Sequence, residues 1–141
     1  MAIRFYIDAD LLGLAKVLVQ VRADVTYPGD PGGIGIDQKP RPPCPIQPGE
    51  KDPIWIPKVA AEDWIVITHD HNIKRKPAER RALFDHAARV VQVNARRLDK
   101  WGQLEIVVSQ WRRIEERLGI PGPWYVKASR TGGLLPQALA P

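Results

Sequence analysis

Short, unbroken runs of apolar and largely β-branched residues recur along the chain, and the two strongest each end in acid. Trp64-Ile65-Val66-Ile67 runs into Thr68-His69-Asp70, and Ile3-Arg4-Phe5-Tyr6-Ile7 runs into Asp8-Ala9-Asp10. Continuous rather than alternating apolar runs mark strands covered on both faces, the condition of a parallel sheet between helix layers. Arg89–Val93 reads as a further buried strand, Ala23–Tyr27 as a short second strand closing a β-α-β unit, and Trp124-Tyr125-Val126 as an edge strand or an interaction segment. The stretches between predict helices. Asp10 stands at an N-cap position ahead of Leu11–Val19, which is apolar nearly all round. Asp52-Pro53 is a helix start, with Asp as N-cap and Pro at the first helical position, opening Ile54–Ala61. Pro77 opens a third helix through about Ala88. In a long fourth helix, Asp99–Leu118, residues Trp101, Leu104, Val108, Trp111, Ile114 and Leu118 recur at three- and four-residue steps. That stripe predicts core or a partner surface, opposite a polar face of Arg112, Arg113, Glu115, Glu116 and Arg117. The order β-α-β-loop-α-β-α-β predicts an α/β fold, a three-layer α/β/α domain around a mostly parallel sheet.

One stretch breaks the pattern. Nine of the 14 prolines fall between Pro28 and Pro57, together with Gly29, Gly32, Gly33, Gly35 and Gly49. Neither a helix nor a central strand survives that composition, so residues 28–52 are expected to form a lid or flap beside a cleft, with Cys44 an exposed thiol. Residues 1–128 then make one domain, and 129–141 a loose tail.

Composition narrows the class. With 44% hydrophobic and 26% charged residues among 141, the chain can bury a real core. Its single Cys excludes an intramolecular disulfide and fits a reducing compartment. No apolar run approaches the roughly 20 residues of a membrane span, and no basic-then-apolar leader is expected; the default expectation is a soluble cytoplasmic protein without membrane partners. The net charge of +5 divides unevenly, −3 over residues 1–73 and +8 over 74–141. An acidic half able to hold a cation beside a basic half suits an enzyme acting on a polyanion.

The acids carry the chemistry. In an open α/β sheet, ligands bind beyond the carboxyl ends of the strands, so neighbouring first and third strands bring Asp8, Asp10 and Asp70 to one spot. Taken singly, Asp8 and Asp10 also read as helix caps, and Asp52 reads first as an N-cap that can turn inward; Glu50 is a weaker alternative. Mutually repelling carboxylates need a counter-charge, and four of them suit one or two Mg²⁺ or Mn²⁺ ions for phosphodiester hydrolysis. Zinc needs three or four nitrogen or sulfur ligands, and only His69, His71, His86 and Cys44 are on offer. There is no serine elbow, no Walker A sequence and no G-x-G-x-x-G. A haloacid-dehalogenase-type phosphatase would use Asp8 as nucleophile and Thr68 at a second strand end, but needs an acidic pair where Val93 is followed by Asn94-Ala95-Arg96.

Ile7-Asp8-Ala9-Asp10-Leu11 with its helix, the Asp52-Pro53 start and Val66-Ile67-Thr68-His69-Asp70 together resemble the PIN-like nuclease superfamily, and within it the compact VapC-type toxins of bacterial toxin–antitoxin modules. The resemblance covers about residues 3–118. It implies that Asp8, Asp52 and Asp70 are the catalytic, metal-binding acids, with Asp10 a further metal ligand. His69 stands where the family usually has Arg. The resemblance also implies RNA cleavage with Mg²⁺, neutralisation by a cognate antitoxin, and a homodimer. Lys74, Arg75 and Lys76, close behind Asp70, are expected to track the RNA backbone, with His69 and His71 contacting substrate. The alternative is the same fold as a catalytically weak or inactive module that binds RNA or protein.

Overall fold

The computed structural model describes residues 2–70, 75–94 and 98–139. Its strands are β1 (Phe5–Ile7), β2 (Val25–Thr26), β3 (Gly33–Ile34), β4 (Pro40–Arg41), β5 (Ile65–Thr68), β6 (Arg89–Val93), β7 (Trp124–Ala128) and β8 (Leu135–Gln137). Its helices are α1 (Leu12–Leu18), α2 (Asp52–Ala61), α3 (Pro77–Asp85) and α4 (Lys100–Glu116). Among the described residues one sheet runs β2-β1-β5-β6-β7-β8. The first five strands are mutually parallel, and β8 pairs antiparallel with β7. The expected α/β/α architecture is therefore present.

The continuous apolar runs are explained by cover on both faces. Phe5, Ile7, Ile65, Ile67, Val91 and Val93 point into a core closed by Leu14 and Leu18 of α1 and by Ile106, Val107 and Ile114 of α4. Tyr6, Val66, Val90 and Tyr125 point the other way, against Trp55, Ile56 and Val59 of α2 and Leu83 of α3. The predicted α4 stripe divides between two environments. Ile114 is buried and Leu104, Trp111 and Leu118 are partly so, whereas Trp101 and Val108, seven residues apart, share an outward flank and are 70% and 62% exposed.

Several expectations are corrected. The Pro/Gly-rich stretch folds into a β3–β4 hairpin whose Arg41 ion-pairs with Asp30 out of solvent and donates from Nη2 to the Val25 carbonyl at 2.8 Å. Of this stretch only its end, Gly49, Glu50 and Asp52, lines the cleft. Cys44 is buried beside Ile46 and Trp55 rather than exposed, because the chain returning from the hairpin is pulled down onto the sheet by the Gly29 and Cys44 amides bonding Ile46 and Asp30 carbonyls. The expected loose tail holds β8, and Leu139 is buried beyond it, so β7 is an interior strand rather than an edge.

The two ends of the sheet differ in charge logic. At the amino ends of the strands, arginines tie the chain together. Arg4 and Arg22 both bond Asp24, at 2.7 and 2.9 Å. Buried Arg89 donates from Nη1 to the Leu118 carbonyl at 2.8 Å, with the Arg117 and Ile120 carbonyls at 3.4 Å, and from Nη2 to the Asp63 carbonyl. At the carboxyl ends the sheet presents acids. Among the described residues, no helix is long and apolar enough to cross a membrane.

Candidate active site

The chain leaves β1 for β2 on one side and leaves β5 for β6 on the other. At such a switch point the loops following the two strands part and open a crevice. Here it is a cleft of about 480 Å³, lined by Asp8, Asp10, Glu50, Asp52, His69 and Asp70.

Register sets its floor. Ile7 lies opposite Ile67, so the next pair along is Asp8 and Thr68. The Asp8 amide extends the ladder by donating to the Ile67 carbonyl at 2.9 Å. Its Oδ1 accepts from the Ala9 amide at 2.7 Å, opening a 3-10 turn over Ala9–Leu11, and its Oδ2 accepts from Thr68 Oγ1 at 2.9 Å. The same hydroxyl reaches Asp10 Oδ2 at 3.2 Å and accepts from the Asp70 amide at 3.1 Å. The His69 amide donates to Asp10 Oδ2 at 3.1 Å. Thr68 has one hydroxyl proton, so it serves one carboxylate at a time and draws both to itself.

The electrostatics follow from that crowding. Burial pushes the Asp8 carboxyl up to about 7; the charge of Asp10 adds to this, and the Thr68 and Ala9 hydrogen bonds pull it back. Burial likewise raises Asp10 to about 6, opposed by the His69 amide and Thr68 hydroxyl and reinforced by the charge of Asp70. Asp52 is raised too, first by burial, with the Trp55 indole and Lys76 opposing and Asp70 and Glu79 reinforcing. Neighbouring carboxyls that all resist ionisation mark a place where a cation is favoured. The donor set is all oxygen, the chemistry of a hard cation that keeps several of its waters. Among the described residues no three His, Cys, Asp or Glu side chains close into a metal cage; an ion here would complete its shell with water or substrate oxygens.

The four predicted acids Asp8, Asp10, Asp52 and Asp70 therefore share one cleft, but two capping roles are reassigned. Asp8, not Asp10, caps the turn after β1. Lys51 occupies the N-cap of α2 and Asp52 is its first helical residue, its Oδ1 accepting from Trp55 Nε1 at 2.9 Å. Glu50 lines the cleft with Oε1 on Lys58 Nζ at 2.5 Å and Oε2 on the Gln47 amide at 2.6 Å. Arg75 and Lys76 are exposed just ahead of α3. His71 and Lys74 lie outside the described residues. Sequence reading missed Trp55 as a site residue and considered Thr68 only within the rejected phosphatase alternative. Thr68 was signalled by its place between the strand and Asp70, and Trp55 by its three-residue step from Asp52, which puts both on one helix face.

A mostly parallel sheet with acids gathered at its switch point is also what the comparison with family models picks out. The chain belongs to the PIN-like domain family, whose model matches residues 3–95, from β1 through β6. PIN-like domains are commonly nucleases. No curated protein and no solved structure matches the chain.

Proposed function

We propose that this protein is a metal-dependent endoribonuclease of the VapC type, the toxin of a type II toxin–antitoxin pair. The observation that carries the nuclease reading is the Asp8–Thr68–Asp10 arrangement at the switch point, with Asp52 and Asp70 in the same cleft. Asp8, Asp10, Asp52 and Asp70 are the residues to hold Mg²⁺ or Mn²⁺, which when bound supplies positive charge to the scissile phosphate and lowers the pKa of an attacking water. Thr68 and the His69 amide keep Asp8 and Asp10 aimed at a common point. Arg75 and Lys76, with Lys74, supply the cationic track for the RNA backbone, and His69 and His71 contact the substrate. A ribonuclease held in check by an antitoxin works in the cytoplasm, where both meet RNA.

The test is cleavage of end-labelled RNA by purified protein with Mn²⁺, with Mg²⁺ and with EDTA, beside Asp70→Asn. Endonucleolytic products that require metal and fall at least about 100-fold in Asp70→Asn are the expected result. Absence of cleavage by folded, partner-free protein sinks the enzyme reading in favour of the binding module.

The toxin half of the proposal rests on the resemblance and on the outward flank of α4. There Trp101, Leu104 and Val108 line an apolar groove of about 440 Å³ beside an Arg130–Glu105 ion pair at 3.4 Å. Exposed apolar surface of this kind marks partner sites, and the antitoxin is the partner assigned to it, with a second copy of the chain the competing occupant. Trp101→Glu is expected to abolish inhibition by the co-expressed antitoxin while leaving metal-dependent cleavage within about twofold. A variant that stays inhibited, or that loses only dimerisation by sedimentation, removes the antitoxin from this face.

A further inference from the structure

We infer that Trp55 is the positioning residue of the cleft: its indole N–H ties down one oxygen of Asp52 so that the other is presented to the bound cation. The inference rests on the metal-site reading above and adds to it a group that never touches the ion.

An Asp at the N-cap turns back onto the amides of its own first turn, a role open to Asp52 only if the helix began one residue later. Lys51 holds the N-cap position without a side-chain cap, and the Asp52 carboxylate reaches one turn along α2 to Trp55 Nε1 at 2.9 Å. The indole is in no position to follow a wandering carboxylate. Trp55 is only 3% exposed, is packed into the α2 face of the core, and has its ring centroid 5.3 Å from that of Tyr6 at a 33° tilt. A rigid, dry donor to a charged acceptor makes a strong and directional bond.

The consequence is geometric. With Oδ1 held, Asp52 offers Oδ2 and is kept from closing on the ion with both oxygens. Mg²⁺ and Mn²⁺ demand near-octahedral placement of a few fixed ligands, and outer residues that orient a ligand typically contribute 10- to 100-fold in metal affinity. Trp55 also spans two layers of the architecture. Its ring belongs to the core and its N–H to the cleft, so sheet packing is transmitted to a single ligand.

The experiment is Mn²⁺ binding to metal-free protein, followed by calorimetry and by the paramagnetic resonance of free Mn²⁺. Trp55→Phe, which keeps an aromatic ring and loses the N–H, should raise the dissociation constant about 10- to 100-fold. Trp64→Phe, in the same core layer but not in the cleft, should stay within about twofold of wild type. In an Asp52→Asn background Trp55→Phe should add nothing, because residues acting through one another are non-additive. Wild-type affinity in Trp55→Phe, or full additivity with Asp52→Asn, overturns the inference while leaving the metal site standing. A wild-type protein that binds no Mn²⁺ overturns the metal reading and this inference with it. Should Trp55→Phe fail to fold, the indole ¹⁵N–H resonances of wild-type protein decide the matter. The Trp55 signal should exchange slowly and shift on adding Mg²⁺, and a signal that does not move refutes the role.

Discussion

Asp8→Asn is expected to abolish metal-dependent cleavage and, at the same time, to stabilise the metal-free protein at alkaline pH. On the proposed metal-site reading, the loss of activity, at least about 100-fold, follows from removing a charged ligand while keeping its shape. The gain in stability follows from linkage. Burial, and then the neighbouring charge of Asp10, lift Asp8 from the ordinary 3.8 to about 7. A carboxyl raised on folding favours the native state below its unfolded pKa, and that contribution is lost as pH rises through the folded value. Metal-free wild type should therefore melt progressively lower between about pH 4 and pH 7, and Mg²⁺ should restore it by supplying the missing counter-charge. Below that window Asp24, whose carboxyl is drawn down by Arg22 and Arg4 against the upward push of burial, begins to protonate and stability falls again. Scanning calorimetry of wild type and Asp8→Asn at several pH values, with and without Mg²⁺, checks all of this. An Asp8→Asn protein with the wild-type pH slope would contradict it. The outcome describes a site that is costly to fold when empty, the usual relation between function and stability in a preorganised cleft.

Arg89→Ala should be the most damaging single change remote from the cleft. The side chain is buried, and its guanidinium serves the carbonyls of Arg117, Leu118 and Ile120 from one nitrogen and that of Asp63 from the other. Truncation leaves these carbonyls without their donor and opens a void beneath β6, a loss of about 3–5 kcal/mol. For a domain of this size that corresponds to a melting temperature roughly 10–20 °C lower. Arg89→Lys should recover only a small part, since a single ammonium on a flexible stem cannot span both sides of the fork. Denaturant melts measure the loss, and cleavage assayed well below the midpoint should remain near wild type, because Arg89 sits at the opposite end of the sheet from the acids. Unchanged stability in Arg89→Ala would show that the 117–120 segment is held by other contacts.

These two residues illustrate what could be read without coordinates. The strand ending at Asp8 and the strand ending at Asp70 were legible because double burial leaves an unmistakable run of β-branched residues, and strand-end acids in a parallel sheet have one place to meet. Arg89, by contrast, reads in the sequence as the polar start of a buried strand. Nothing local says that its charge will be consumed by carbonyls from a loop some 30 residues later. The Pro/Gly-rich stretch misled for a related reason. Composition reports that no long element can form there, but not that the buried Asp30–Arg41 pair will fasten a short hairpin and draw Cys44 inward. The cap after β1 fell to Asp8, the second of its two candidates, and the N-cap of α2 to Lys51 rather than Asp52, because an acid near a helix start signals the start without fixing which amide it will bind.

The sequence by itself determined the layer order, the parallel sheet and the meeting of Asp8, Asp10 and Asp70 beyond neighbouring strands, because hydrophobic periodicity and strand-end polarity are local properties that any fold must satisfy. Only the tertiary structure decided that Thr68 would stand between Asp8 and Asp10, that Trp55 would hold Asp52, and that β8 would cover β7. Each of these depends on strand register or on one element packing over another, and such contacts join residues whose partners are set by three-dimensional neighbourhood rather than by spacing along the chain.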